Sequence, residues 1–170
     1  MKILLIFAVS AGLMLSGIAQ ADEVKINQTF SGVAHATMVD TNGDGGFANA
    51  FSFELRGSPG RSTALSMGEF TDFSSSDCPN GVPTSHLVQQ SMVQTFSDLS
   101  MLYYLSTASR TCFDPSTSEV TCEIEGVIIG GSGRFEDATG AWAVACEIFL
   151  VGETVRAATG TLKGTVIVPH

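Results

Sequence analysis

Apolar and polar residues alternate at every second position along almost the whole chain after residue 21, and this pattern narrows the fold more than any other feature. A period of two sends successive side chains to opposite faces of an extended strand, so each run makes one half-buried strand. Val24, Ile26 and Phe30 alternate with Lys25, Asn27, Thr29 and Ser31, in a strand expected to reach Val39. Phe47, Phe51, Phe53 and Leu55 share one face of the next, opposite Ser52, Glu54 and Arg56. Further strands are expected over 61–73, 85–96, 101–108, 119–125, 142–150 and 154–168. Turn-forming residues separate them: GSPG at Gly57–Gly60, a loop over 74–84, SDLS at Ser97–Ser100 and a loop over 110–118. Leu87–Ser97 carries some helix propensity, but its β-branched and aromatic residues and flanking turns favour a strand; Ala141–Val151 could be helical by propensity alone, but Cys122 and Cys146, set symmetrically about Arg134, favour a hairpin strand.

About eight strands with short connections and no helical crossover make an antiparallel meander. Closing them into an eight-stranded up-and-down barrel removes the exposed edges; a β-sandwich is the alternative. The first residues stand apart from this pattern. Lys2 is the only charge before Asp22, Ile3–Leu15 is almost entirely apolar, and Ala19-Gln20-Ala21 has the small-x-small form of a cleavage site. Residues 1–21 therefore read as a signal peptide, and residues 22–170 as a single exported domain, periplasmic or secreted. The apolar run is short for a membrane span and no later one replaces it, so no membrane insertion is expected.

The chain carries 17 acidic and 8 basic residues, a formal net charge of −9, with no basic cluster. That balance argues against nucleic acid and anionic membranes as partners. Cys78, Cys112, Cys122 and Cys146 are even in number and lack zinc or redox spacing, so two disulfides are expected. Cys122 and Cys146 sit symmetrically about Arg134, as cross-strand partners in one hairpin do, which leaves Cys78 to join Cys112 between two loops.

The hairpin tip is GGSGRFEDATG, Gly130–Gly140. A dinucleotide fingerprint fails there, because the third glycine position counted from Gly131 is Glu136, and no lysine supplies a Walker loop. The glycines instead suit a tight connection with positive φ and bulges. Phe135 is expected to cap one end of the core, with Arg134 anchoring the loop to carboxylates or carbonyls.

GGSGRFEDATGAW, with DTNGDG after the first strand, CPNG in mid-chain and TCFDP before the loop, resembles the signature of small exported bacterial β-barrel proteins. These are similar in fold to allene oxide cyclase and plant dirigent proteins. The resemblance covers roughly Asp40 to Gly140 and rests on Gly131, Gly133, Arg134, Phe135 and Gly140. It implies an eight-stranded closed barrel, often oligomeric, and no particular activity. Asp137 departs from the pattern, since such loops more often carry glycine or another small residue there.

Candidate chemistry is sparse. Asp40, Asn42 and Asp44 occupy alternate positions before Gly45, as in a calcium loop, but the twelfth position is Phe51 rather than glutamate. These oxygens make a weak calcium candidate and also suit a plain turn. No other cofactor is implied. His35, His86 and His170 read as surface histidines, and no nucleophile elbow is present. Glu69 shares a face with Leu65 and Met67, and one of Tyr103 and Tyr104 points inward; an acid facing an apolar lumen would be a general acid or base. Ala141, Ala143, Ala145, Phe149 and Val151 lie opposite the Trp142 face and form an outward strip suited to a homo-oligomer. Three functions remain: a carrier of a small apolar ligand with no assignable catalysis, a cyclase or isomerase using the same lumen, or a purely structural envelope or secreted protein. An empty apolar lumen favours the first, an empty lumen with a buried carboxylate the second, and a filled lumen the third.

Overall fold

The structure, a computed structural model, describes residues 21–37, 39, 40, 43, 47–73, 75–152 and 154–170. The strands are β1 (Ala21–Ala36), β2 (Phe47–Ser58), β3 (Ser62–Phe70), β4 (Thr84–Ser85), β5 (Leu87–Phe96), β6 (Met101–Asp114), β7 (Glu119–Ser132), β8 (Thr139–Leu150) and β9 (Val155–Pro169). β4 and β5 are two parts of one wall position, interrupted at His86, and both pair with β6. Every strand is antiparallel to each strand it pairs with. The ring closes where β1 pairs with β9 from Ala21↔Pro169 to His35↔Val155. The molecule is thus an all-β, closed eight-stranded antiparallel barrel, and the sandwich alternative falls.

Both segments with residual helix propensity are strands, β5 and β8. β1 stops at Ala36, although Thr37 and Val39 still exchange backbone hydrogen bonds with Ala48. The expected loop over 110–118 is shorter than the sequence implies. β6 runs to Asp114, paired with Glu119, so only the turn between those residues is irregular. The alternation misleads there because β6 carries an extra residue between Ser106 and Ala108, a bulge that shifts its register against β7. A bulge reverses which side chains face in, so Leu102 and Tyr104 point inward before it, and Thr111 and Phe113 after it.

Inside, bulky rings sit against glycines. Trp142 is buried between Gly126 of β7 and Gly164 of β9, its two cross-strand neighbours, and a Cβ on either would meet the indole or adjoining backbone. Its Nε1 donates to the Val127 carbonyl at 3.1 Å, and its ring and that of Tyr104 meet edge to face with centroids 5.7 Å apart. On the opposite face of the same strand Ala141, Ala143, Ala145 and Phe149 are exposed, as is Val151 just beyond it. The four cysteines form Cys78–Cys112 and Cys122–Cys146, and the β7–β8 register that sets Cys122 opposite Cys146 continues to Ile128↔Gly140.

Candidate functional site: the open mouth of the barrel

The two ends of the lumen differ in how they are filled. At one end the β7–β8 connection folds inward as a plug. Phe135 is 2% exposed and packs on Phe96 with ring centroids 5.0 Å apart. The Arg134 guanidinium covers both rings, 4.9 Å from the Phe96 centroid and 4.7 Å from that of Phe135, and pairs with Asp98 at 3.4 Å. Hydrogen bonds from Ser100 hold the Asp98 carboxyl below the usual carboxylate range, with a smaller contribution from Arg134. Gly133 has φ 63°, a conformation that favours glycine, and Asp137 adopts φ 55°. That left-handed backbone gives a reason for small residues at this position, and aspartate is among the side chains that tolerate it. Gly131 and Gly140 leave space instead: a Cβ would collide with the carbonyl oxygens of Phe135 and Thr165 respectively.

Above the plug lies a polar layer whose members satisfy one another. Gln94 is fully buried and its Nε2 donates to Gln28 Oε1 at 2.8 Å and to Ser62 Oγ at 2.6 Å, while Tyr104 Oη donates to Gln94 Oε1. Gln28 Nε2 donates in turn to the Gly60 carbonyl at 2.7 Å. Gln90 and Ser66 form the next pair, Nε2 to Oγ at 2.8 Å. Burial pushes the Tyr104 phenol well above the usual tyrosine range.

The other end opens. Inward residues of β1, β2, β3, β4, β6, β7, β8 and β9 line a cleft of about 330 Å³, with Ala34, Ala36, Phe51, Phe70, Phe73, Phe113, Val120, Ile148 and Leu150 as its apolar wall. Beneath it a void of about 50 Å³ shares Phe51, Phe70 and Ile148 and reaches Phe30, Met92, Trp142 and the Cys122–Cys146 bridge. The polar groups at the mouth are Asn49, Thr71, Asp72, Ser85, Thr111 and Arg156. Ser85 Oγ donates to the Thr71 carbonyl at 2.6 Å. Thr111 is 6% exposed, yet among the described residues its Oγ1 has no hydrogen-bond partner, and neither has the buried Nε of Arg156. Asp72 is exposed on the rim, its Oδ1 accepting from the Phe73 N–H at 2.8 Å.

The loop over this end is tied down at His86. Its Nδ1 lies 3.1 Å from the Ser109 carbonyl, and its Nε2 lies 3.1 Å from Asp77 Oδ2 and 3.3 Å from Ser75 Oγ. Hydrogen bonds from His86 and then Ser75 hold the Asp77 carboxyl below its ordinary range. Serine and aspartate approach the same ring nitrogen, so the trio lacks the relay in which a base bridges nucleophile and acid. The Cys78–Cys112 bridge fixes the same loop to β6.

The remaining sequence candidates fall elsewhere. The signature residues Gly131, Gly133, Arg134, Phe135 and Gly140 build the plug, at the opposite end from the mouth. Leu65 and Met67 are 66% and 59% exposed, so the face they share with Glu69 is the barrel's exterior. Glu69 itself is buried on that outer side, opposite Ala48 and Gln89, and is no lumen acid. The inner face of β3 carries Ala64, Ser66 and Gly68, small residues that a narrow, hydrogen-bonded lumen accepts. His35 is exposed, and His170 pairs with Asp22 at 2.9 Å. In the DTNGDG turn Asp40 Oδ1 accepts from the Gly43 N–H at 2.6 Å, whereas Asn42 and Asp44 lie outside the described residues, as does the leader up to residue 20. No helix among the described residues is long and apolar enough to cross a membrane, which leaves strands out of account.

Thr111 and Arg156 carry no motif. Arg156 could have been found by counting back two from Ala158 on the face of Leu162 and Val166, which places it in the lumen. Thr111 was hidden by the bulge.

No protein-family model matches the chain, and no curated protein matches it. Among solved structures, the chain is similar to the pterocarpan synthase dirigent protein GePTS1, at 17% identity over 91% of this chain and 94% of that one, with a TM-score of 0.48. A likeness at that level carries no argument about function.

Proposed function

We propose that this protein is an exported binding module that holds a small apolar molecule in the open mouth of its barrel, without catalysis. The observation that carries this reading is the aromatic-walled cleft of about 330 Å³ at one end of a lumen whose other end is plugged. Small-molecule sites are concave, mostly apolar and supplied with a few polar groups, and the volume falls at the small end of their range. Asp72, the one carboxylate among the described lining residues, stands exposed on the rim and not inside the apolar lumen. Thermal-shift screening with fatty acids, phenolics and terpenoids, with turnover followed by mass spectrometry, tests the reading. It predicts stabilisation without turnover, and turnover lost in Asp72→Asn would replace it with the cyclase reading.

Export rests on the leader-like residues 1–21 and fits the two disulfides, which persist in oxidising compartments. N-terminal sequencing of the exported product should begin at Asp22. Asp40, Asn42 and Asp44 remain a weak calcium candidate, tested by calorimetric titration of the parent and of Asp44→Ala. Association with a second copy is supported by more exterior apolar surface than the β8 strip. Leu65, Val93, Leu105 and Val127 are all exposed on adjoining strands, and Val127 pairs with Ala141. A strict monomer in sedimentation at micromolar concentration would remove that part of the reading.

A further inference from the structure

Within that reading of the mouth as a ligand site, on which this inference rests, we propose that the ligand is an arene bearing a single carboxylate. Arg156 pairs with the carboxylate, Thr111 donates a hydrogen bond to the same ligand, and the phenylalanine rings hold the arene.

The argument begins with Arg156. Strand alternation with Ala158, Leu162 and Val166 turns it into the lumen, where it pairs across the backbone with Ala34 and Leu150. Its Nε is buried without an acceptor, and among the described residues it has no ion-pair partner. A guanidinium N–H taken out of water without an acceptor is costly, so an acceptor supplied from outside gains more there than at the surface. A carboxylate matches its planar fork with two oxygens. Thr111 presents a second unmet group, on a residue more than nine-tenths buried whose hydroxyl makes no hydrogen bond among the described residues. β6 carries Thr111 and β9 carries Arg156, separated by two strands around the ring, yet both line the same cleft.

The surroundings limit the ligand's charge and shape. Asp72 on the rim and the net charge of −9 oppose a dianion or a phosphate ester, so one negative charge is the most that Arg156 offsets. Phe73 and Phe113 meet edge to face at 6.1 Å, and Phe51 and Phe70 do so at 6.3 Å, which leaves ring faces and edges for an aromatic body. The volume suits one or two fused rings rather than a long chain.

A matched pair of probes separates this proposal from the reading beneath it. The ligands are 2-naphthoate and the uncharged 2-naphthalenemethanol, titrated calorimetrically at neutral pH into the parent, Arg156→Gln and Arg156→Lys. The expected result is naphthoate bound more tightly by the parent by roughly tenfold or more, the size of a charge-assisted hydrogen bond. Arg156→Gln should erase that preference, and Arg156→Lys should keep part of it. Equal binding of both probes by the parent overturns the carboxylate proposal and leaves the apolar site standing. Binding of neither at millimolar concentration overturns both. The comparison within the parent is decisive even if a variant fails to fold.

Discussion

The two ends of this barrel bury polar groups in opposite ways. At the plugged end Gln28, Gln94, Ser62 and Tyr104 form a layer in which donors meet acceptors, inward of the Phe96–Phe135–Arg134 stack. At the mouth Thr111 Oγ1 and Arg156 Nε are buried against an apolar wall and have no hydrogen-bond partner among the described residues. A satisfied buried network specifies and stabilises a fold, whereas unmet buried groups subtract from stability unless something else meets them. The same residue chemistry therefore serves architecture at one end and is available for recognition at the other.

If that contrast is correct, mutations at the two ends should differ in what they damage. The largest loss is expected for Gln94→Ala, which opens a cavity and leaves Gln28 and Tyr104 without their shared partner. Urea denaturation should show a fall of about 3 kcal/mol. A change below half that would mean the polar layer is no keystone. Replacing Cys78 and Cys112 together by serine should cost about 2 to 4 kcal/mol, since it releases the loop over the mouth from β6. The effect on ligand affinity should exceed that of removing Cys122–Cys146; the reverse would place the binding surface deeper in the barrel.

Alkaline titration probes the plugged end without mutation. The folded-state pKa of Tyr104 is raised by burial, so its neutral form is favoured by folding. That contribution is complete below the unfolded tyrosine value of about 10 and is lost as pH rises above it. One of the two tyrosines should therefore ionise only as the protein unfolds, and Tyr104→Phe should abolish that step. Reversible ionisation of both in the folded state would show the layer to be open to water. The smallest effect is expected for Thr111→Val, within about 0.5 kcal/mol of the parent, because the hydroxyl it removes has no partner to abandon. Loss of 2 kcal/mol or more would show that this hydroxyl is structural.

The sequence made the plugged end easier to read than the mouth. Phe135 stands out among glycines, and Cys122 and Cys146 are spaced evenly about the loop, so local chemistry marks the hairpin. Trp142 follows from the alternation along β8. The mouth depends on facts that alternation does not record. The extra residue after Ser106 rotates Thr111 and Phe113 inward, and the narrow lumen reverses the expected faces of β3, placing Leu65 and Met67 outside. Arg156 was reachable through Leu162 and Val166, but an arginine near a strand start reads as surface until the strand's neighbours are known.

The most direct test is a two-dimensional NMR titration of the parent protein with 2-naphthalenemethanol, following backbone amides and aromatic side chains. The contrast between the two ends predicts shift changes concentrated at Ala34, Thr111, Phe113, Ile148 and Arg156, with Phe96, Leu102 and Phe135 unmoved. Changes centred on the plug or on the exterior row of Leu65 and Val93, or no change at saturating ligand, would contradict it.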